Sequence, residues 1–235
     1  MGRDFAPFDT RNYETVSVRE GYVQWSAVYD ATVDDALDLD LLSRLSCILW
    51  DELTSVADLA CGTGRVGTWL KERRAGQVDG VDLTPEMLRL AETKGTYRTL
   101  SLGDMTGCDL AGEAYDAVTN VLASAHIKDL APLYLEAARL TRPEGWFALV
   151  GYHPVFLLAG IPTHFDRPDG RPLAIETYVH MLSEHFAAAA EAGWAFVAFD
   201  EHVVGEAICD QRPSYRKHLG KPTSFVLLWR RDRTP

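Results

Sequence analysis

Three acidic residues, each at the end of an apolar run, carry most of the chemistry written in this chain. Val56-Ala57-Asp58-Leu59-Ala60-Cys61-Gly62-Thr63-Gly64-Arg65 passes from an apolar stretch through an acid into two glycines, the pattern by which α/β folds open a strand into a helix around a nucleotide. Asp82 closes a second apolar run, Val78 to Val81, at roughly the 20-residue distance where a carboxylate holds a ribose hydroxyl. Asp104 follows a third run, Tyr97 to Leu100, and precedes Met105. An acceptor beside a polarizable thioether suits an adenine with its exocyclic donor. Together the three positions mark an adenosine site.

Gly62-Thr63-Gly64-Arg65-Val66-Gly67 also satisfies the dinucleotide spacing G-x-G-x-x-G, so an NAD-linked oxidoreductase competes with any other reading. The carboxylates weigh against it. Asp58 repels a pyrophosphate but pairs with an amino group, and an anionic cofactor gains nothing from three acids.

The order of these motifs, from Ser55 to Val150, resembles that of the class I S-adenosylmethionine-dependent methyltransferases and is similar to the bacterial small-molecule enzymes of type 11. The resemblance implies S-adenosyl-L-methionine as cofactor and S-adenosyl-L-homocysteine as product. It assigns the methionine part to Asp58, Ala60, Cys61, Gly62 and Gly64, the ribose to Asp82, and the adenine to Asp104 and Met105. Leu83 and Met87 join the cofactor set, and Asn120, Val121 and Leu122, at the exit of the Tyr115–Leu122 run, line the methyl-transfer site. Ala60 stands where the family often has a first glycine.

The elements needed to position these residues are legible around them. Asp34 or Asp35 is placed to cap a helix with Leu37, Leu41, Leu45, Ile48 and Leu49 on one face. Val66, Trp69 and Leu70 give the helix after the glycines an apolar side, and Thr84-Pro85-Glu86 starts the next. Leu130, Leu133, Tyr134, Ala137 and Leu140 make a further helix. Trp146 to Val150, Trp194 to Val204 and Ser224 to Trp229 read as later strands. The expected fold is Rossmann-like α/β, a seven-stranded, mostly parallel sheet with helices on both faces, an N-terminal helical arm and a lid insert after strand 5. We divide a single domain into residues 1–50 (arm), 51–151 (cofactor core), 152–192 (cap insert and helix) and 193–235 (closing strands).

The bulk composition agrees. At 235 residues and 47% apolar, the chain has material for one α/β core. A formal charge of -11 argues against unaided binding to a nucleic-acid backbone, and the basic cluster of Arg212, Arg216, Lys217, His218 and Lys221 reads as a solvated loop face. The four cysteines form no C-x-x-C pair, which points to reduced thiols and no metal. No apolar run approaches the length of a membrane span. A cytoplasmic monomer or homodimer without membrane or nucleic-acid partners is expected.

The acceptor is expected to meet the arm and the insert. Tyr22, Trp25 and Tyr29 form an aromatic wall on the arm, and the insert from Tyr152 to about Ala174 reads as a lid. Three histidines, His126, His153 and His164, are candidate bases. In a helix expected from about Ile175, His185 faces inward and His180 lies on the wet side; irregular spacing weighs against a metal on His153, His164 and Asp166. The reaction these features imply is in-line transfer of a methyl group to a small-molecule oxygen in specialised metabolism. Nitrogen or carbon acceptors, a non-methylating cyclase on the same fold, and a non-catalytic partner subunit are the alternatives.

Overall fold

The computed structural model describes residues 1–33 and 35–232. Seven strands form the main sheet: β1 (Ser55–Leu59), β2 (Gln77–Asp82), β3 (Thr99–Leu102), β4 (Tyr115–Val121), β5 (Thr141–Tyr152), β6 (Trp194–Val203) and β7 (Pro222–Arg231). Their spatial order is β6-β7-β5-β4-β1-β2-β3, with β7 antiparallel to both its neighbours and the remaining pairs parallel. The order reverses beside β1, so the ends of β1 and β4 flank the switch point at which ligands of such sheets bind.

Both faces of the central strands are covered, so β1 is buried at every position and β5 from Phe147 to Gly151. On β5, Phe147 and Leu149 face one layer and Ala148 and Val150 the other. The first layer holds helix Ala131–Leu140, through Leu133, Tyr134 and Ala137, and helix Leu182–Glu191, through Ala188 and Ala189. The second holds Leu41, Leu42, Leu45 and Ile48 with Val66, Trp69 and Leu70 of helix Arg65–Glu72. Each such fully buried side chain contributes roughly 1.5–3 kcal/mol.

Three elements depart from expectation. The helix expected from Asp34 or Asp35 is broken into a 3-10 turn, Asp35–Leu37, and a short helix, Leu39–Ser43; Asp34 itself lies outside the described residues. Asp38 interrupts it, accepting from Leu39 N at 2.7 Å and from the Arg65 guanidinium, and Leu49 ends up exposed. The helix expected from Ile175 begins only at Leu182. Residues 178–179 instead pair with Arg3–Asp4 as strands, which buries His180 and lets its Nε2–H donate to the Ile127 carbonyl at 2.8 Å. The third strand runs Thr99–Leu102 rather than from Tyr97.

The insert is not a loop alone. It contains helix Pro154–Leu158 and strands His164–Asp166 and Pro172–Ile175. The arm strand Glu14–Val16 pairs in parallel with Pro172–Ile175, so arm and insert form one cap. Helix Val18–Trp25 presses onto it at Gly21, where a Cβ would meet Ile175 at 2.5 Å.

Candidate active site

At the carboxyl ends of β1, β2 and β4, under the cap, lies a cavity lined by residues that follow each of these strands. The loop after β1 forms its floor. Ala60 sits at φ 59° and Gly62 at φ 54°, both in the left-handed region that favours glycine. Ala60 therefore holds a conformation that glycine adopts more readily. Nothing lies within 4 Å of the position a Gly62 Cβ would take, so the loop leaves open space for a ligand. Leu122, just past β4, is a third cavity residue held at positive φ, 55°, a strain that clusters at binding sites.

Asp82 anchors this floor. Its Oδ2 accepts from Gly62 N and its Oδ1 from Thr84 N, each at 2.8 Å. Burial pushes its pKa up, against those N–H donors. Asp104 lies across from it and accepts at one oxygen from Thr106 N and Oγ1. The lining contains these two carboxylates and, among the described residues, no Lys or Arg, so the cavity favours a cationic ligand.

Leu83, Met105 and Val121 also line the cavity, Tyr22 and Tyr29 close it from the arm, and His126 borders it after β4. Thr84, Gly103, Ala123, Ile127 and Val18 line it as well, none of them singled out from sequence; Thr84 and Gly103 were findable as neighbours of the two acids.

The remaining expected residues lie elsewhere. Asp58 is sealed behind the floor: Tyr97 O–H donates to its Oδ2 and Thr119 O–H to its Oδ1, both at 2.7 Å. Burial raises its pKa to about 6. Cys61, Gly64, Met87 and Asn120 are buried or intermediate positions of the same shell that do not reach the lining. Asn120 Nδ2 donates to the Leu59 carbonyl at 3.0 Å. Trp25 backs the cap wall, stacked on Tyr22 with ring centroids 5.9 Å apart and edge-on to Tyr29 at 4.9 Å, while its Nε1–H donates to Thr32.

Of the three candidate bases, the structure brings only His126 to this cavity. His126 Nδ1–H donates to the Glu176 carbonyl at 2.7 Å, because a carbonyl can only accept. That leaves Nε2 as an acceptor, and Tyr22 O–H points at it at 2.9 Å. Burial lowers the His126 pKa and raises that of Tyr22 well above its ordinary value, so the pair is a neutral imidazole and a phenol. His153 is away from the cavity. Its Nδ1 caps helix Pro154–Leu158 by accepting from Val155 N at 3.1 Å, and its Nε2 meets Glu201 at 2.8 Å. His164 lines a different cavity, with its Nδ1–H on the Pro162 carbonyl.

The arm is also tied to the glycine loop. Asp30 accepts from Thr63 Oγ1 and from Lys94 Nζ, and Arg65 pairs with Asp35 and Asp38.

Residues 57–149 match the family described as Methyltransferase domain. The chain carries a methyltransferase domain. The methyltransferase is 28% identical to an uncharacterized methyltransferase of Emericella nidulans, over 84% of this chain and 82% of that one. In fold it is similar to an S-adenosylmethionine-dependent methyltransferase of Mesorhizobium loti (TM-score 0.67, 22% identity, 82% of this chain and 96% of that one). It is also similar to the cyclase SpnF (TM-score 0.66, 15% identity, 94% and 99%). The acidic cavity with its open glycine floor fits a sulfonium ligand such as S-adenosylmethionine, on which the Mesorhizobium loti enzyme depends. Among the described residues, no helix of the methyltransferase is long and apolar enough to cross a membrane.

Proposed function

We propose that the enzyme methylates an oxygen of a small molecule, working in specialised metabolism, and that the Tyr22–His126 pair handles the acceptor proton. The hydrogen bond between them inside the acidic cavity carries this reading. When bound, the cofactor supplies an electrophilic methyl on a sulfonium. Asp82 is proposed to hold the ribose hydroxyls, with its remaining lone pairs turned to the cavity, and Asp104 with Met105 the adenine. The loop from Ala60 to Gly62 is proposed to hold the methionine part through backbone, with Asp58 stiffening that loop from behind. Tyr22 and Tyr29 exclude water and offer π-faces to positive charge.

The acceptor hydroxyl must lose its proton as it attacks. With Nδ1–H committed to Glu176, His126 Nε2 is free to take one: the hydroxyl proton passes to the Tyr22 oxygen while the Tyr22 proton passes to Nε2. Orientation of the two reactants supplies more than the base does, roughly 7–11 kcal/mol against about 10²- to 10⁴-fold. His126→Ala is therefore expected to lower kcat by about 10²- to 10⁴-fold in an assay of labelled methyl transfer to a panel of phenols and carboxylic acids. Tyr22→Phe should lower it less, and S-adenosylhomocysteine binding should survive in both. Unchanged turnover in His126→Ala removes the base and favours a nitrogen acceptor, which needs little help. A product lacking the label favours the cyclase reading that the likeness to SpnF brings.

A further inference from the structure

Beyond the wall made by Trp25 lies a second cavity. Trp25 lines it, whereas Tyr22 and Tyr29, packed against the same indole, line the first. Its floor is apolar, with Trp25, Leu37 and Ile161 buried and Tyr152 stacked on Phe156 at 6.3 Å between ring centroids. Its rim has the opposite character. Arg11, Arg212 and Lys217 stand there with, among the described residues, a single carboxylate, Asp166, in a chain whose overall charge is -11.

Two polar atoms in the lining are buried without a hydrogen-bond partner: Thr163 Oγ1, on a residue only 4% exposed, and His218 Nδ1. Buried polar groups are nearly always satisfied, so an orphan inside a cavity marks the place of a missing partner. The His218 ring sits edge-on to Phe156 at 5.4 Å and feels the charges of Lys217, Lys221 and Arg11, which with burial hold its pKa below the ordinary value. The basic loop is exposed at Arg212, Arg216, Lys217 and Lys221 as its sequence suggests, and its inner edge lines an apolar chamber. Cations that converge on a low-dielectric pocket, against the charge of the whole molecule, concentrate organic anions.

We infer that this cavity is a binding site for an organic anion: a flat apolar body resting on the Trp25, Tyr152 and Phe156 side, with a carboxylate or phosphate-type group held by Arg11 and Lys217 and hydrogen-bonded by Thr163. The site stands apart from the methyl-transfer reading and holds whether or not its occupant is the acceptor.

Calorimetric titration of the full chain with 2-naphthoate and 1-naphthyl phosphate, with neutral 2-naphthamide as control, tests it. The anions should bind at least about ten-fold more tightly than the amide, the worth of one charge-assisted hydrogen bond, and weaken as salt rises. The double variant Arg11→Gln/Lys217→Gln should bring the anions down to the level of the amide while leaving S-adenosylhomocysteine affinity within about two-fold. Thr163→Val should cost the anions a few-fold. Equal binding of amide and anions, or a double variant that binds anions like the parent, overturns the site. Anion binding without S-adenosylhomocysteine binding supports it and strikes only the methyl-transfer reading.

Discussion

On the sheet side, the cofactor cavity is built from backbone: a loop held at positive φ at Ala60 and Gly62, and an acid, Asp82, whose oxygens clamp the N–H groups of Gly62 and Thr84. On the cap side it is built from side chains that are far apart in the chain. Tyr22 meets His126 across 104 positions, and Trp25 stacks on Phe165 at 5.3 Å between ring centroids. The first wall is a local consequence of strand, turn and helix. The second exists only because the arm strand Glu14–Val16 pairs with Pro172–Ile175. The sheet-side wall is therefore set by short motifs, and the cap-side wall by long-range pairing.

The contrast is sharpest at the two strand-end acids. Asp82 faces the cavity and Asp58 faces the protein. Replacing Asp82 by Ala should weaken S-adenosylhomocysteine binding by about 10- to 100-fold, the cost of losing charge-assisted hydrogen bonds; unchanged affinity by titration would remove the ribose role and place the sheet wall on a par with the cap.

Asp58 should instead govern stability. Its folded pKa of about 6 lies above the ordinary carboxyl value of 3.8 because of burial. A carboxyl shifted upward binds more protons folded than unfolded between those values, so its contribution to stability falls as pH rises through the window and is lost above about pH 6. Asp58→Asn lacks that titration. Without cofactor, the Tm of the variant relative to the parent should therefore climb between about pH 4 and pH 6 and level off above. A difference that stays flat across that range would mean that Asp58 is not sealed as the structure has it.

The smallest effect on activity belongs to His153. Its Nδ1 caps a short helix and its Nε2 meets Glu201, so His153→Ala should lower stability by about 1 kcal/mol and leave the rate unchanged. A slowed rate at intact stability would put His153 back among the bases and blur the distinction between cap scaffold and cap chemistry.

Much of the scaffold was legible because α/β punctuation is local. The run into Asp58, the glycines, and the acids at 82 and 104 each sit within one strand and its following turn. Where reading failed, a distant partner had changed a local preference. Residues 178–180 carry helical spacing, but Arg3–Asp4 supplies a strand edge and turns His180 inward. Leu37, Leu41, Leu45 and Ile48 are buried as their spacing asks, yet Asp38 breaks their helix to meet Arg65. Tyr97 leaves its strand to reach Asp58.

By itself, then, the sequence determined the sheet, its glycine floor and the acids at the strand ends, because each depends on neighbours within a few residues. Which acid is sealed and which is open, which histidine meets a tyrosine, and that a basic loop closes over an apolar chamber were decided by tertiary structure. Burial and partner geometry set the proton state of a side chain, and both come from residues that only folding brings near.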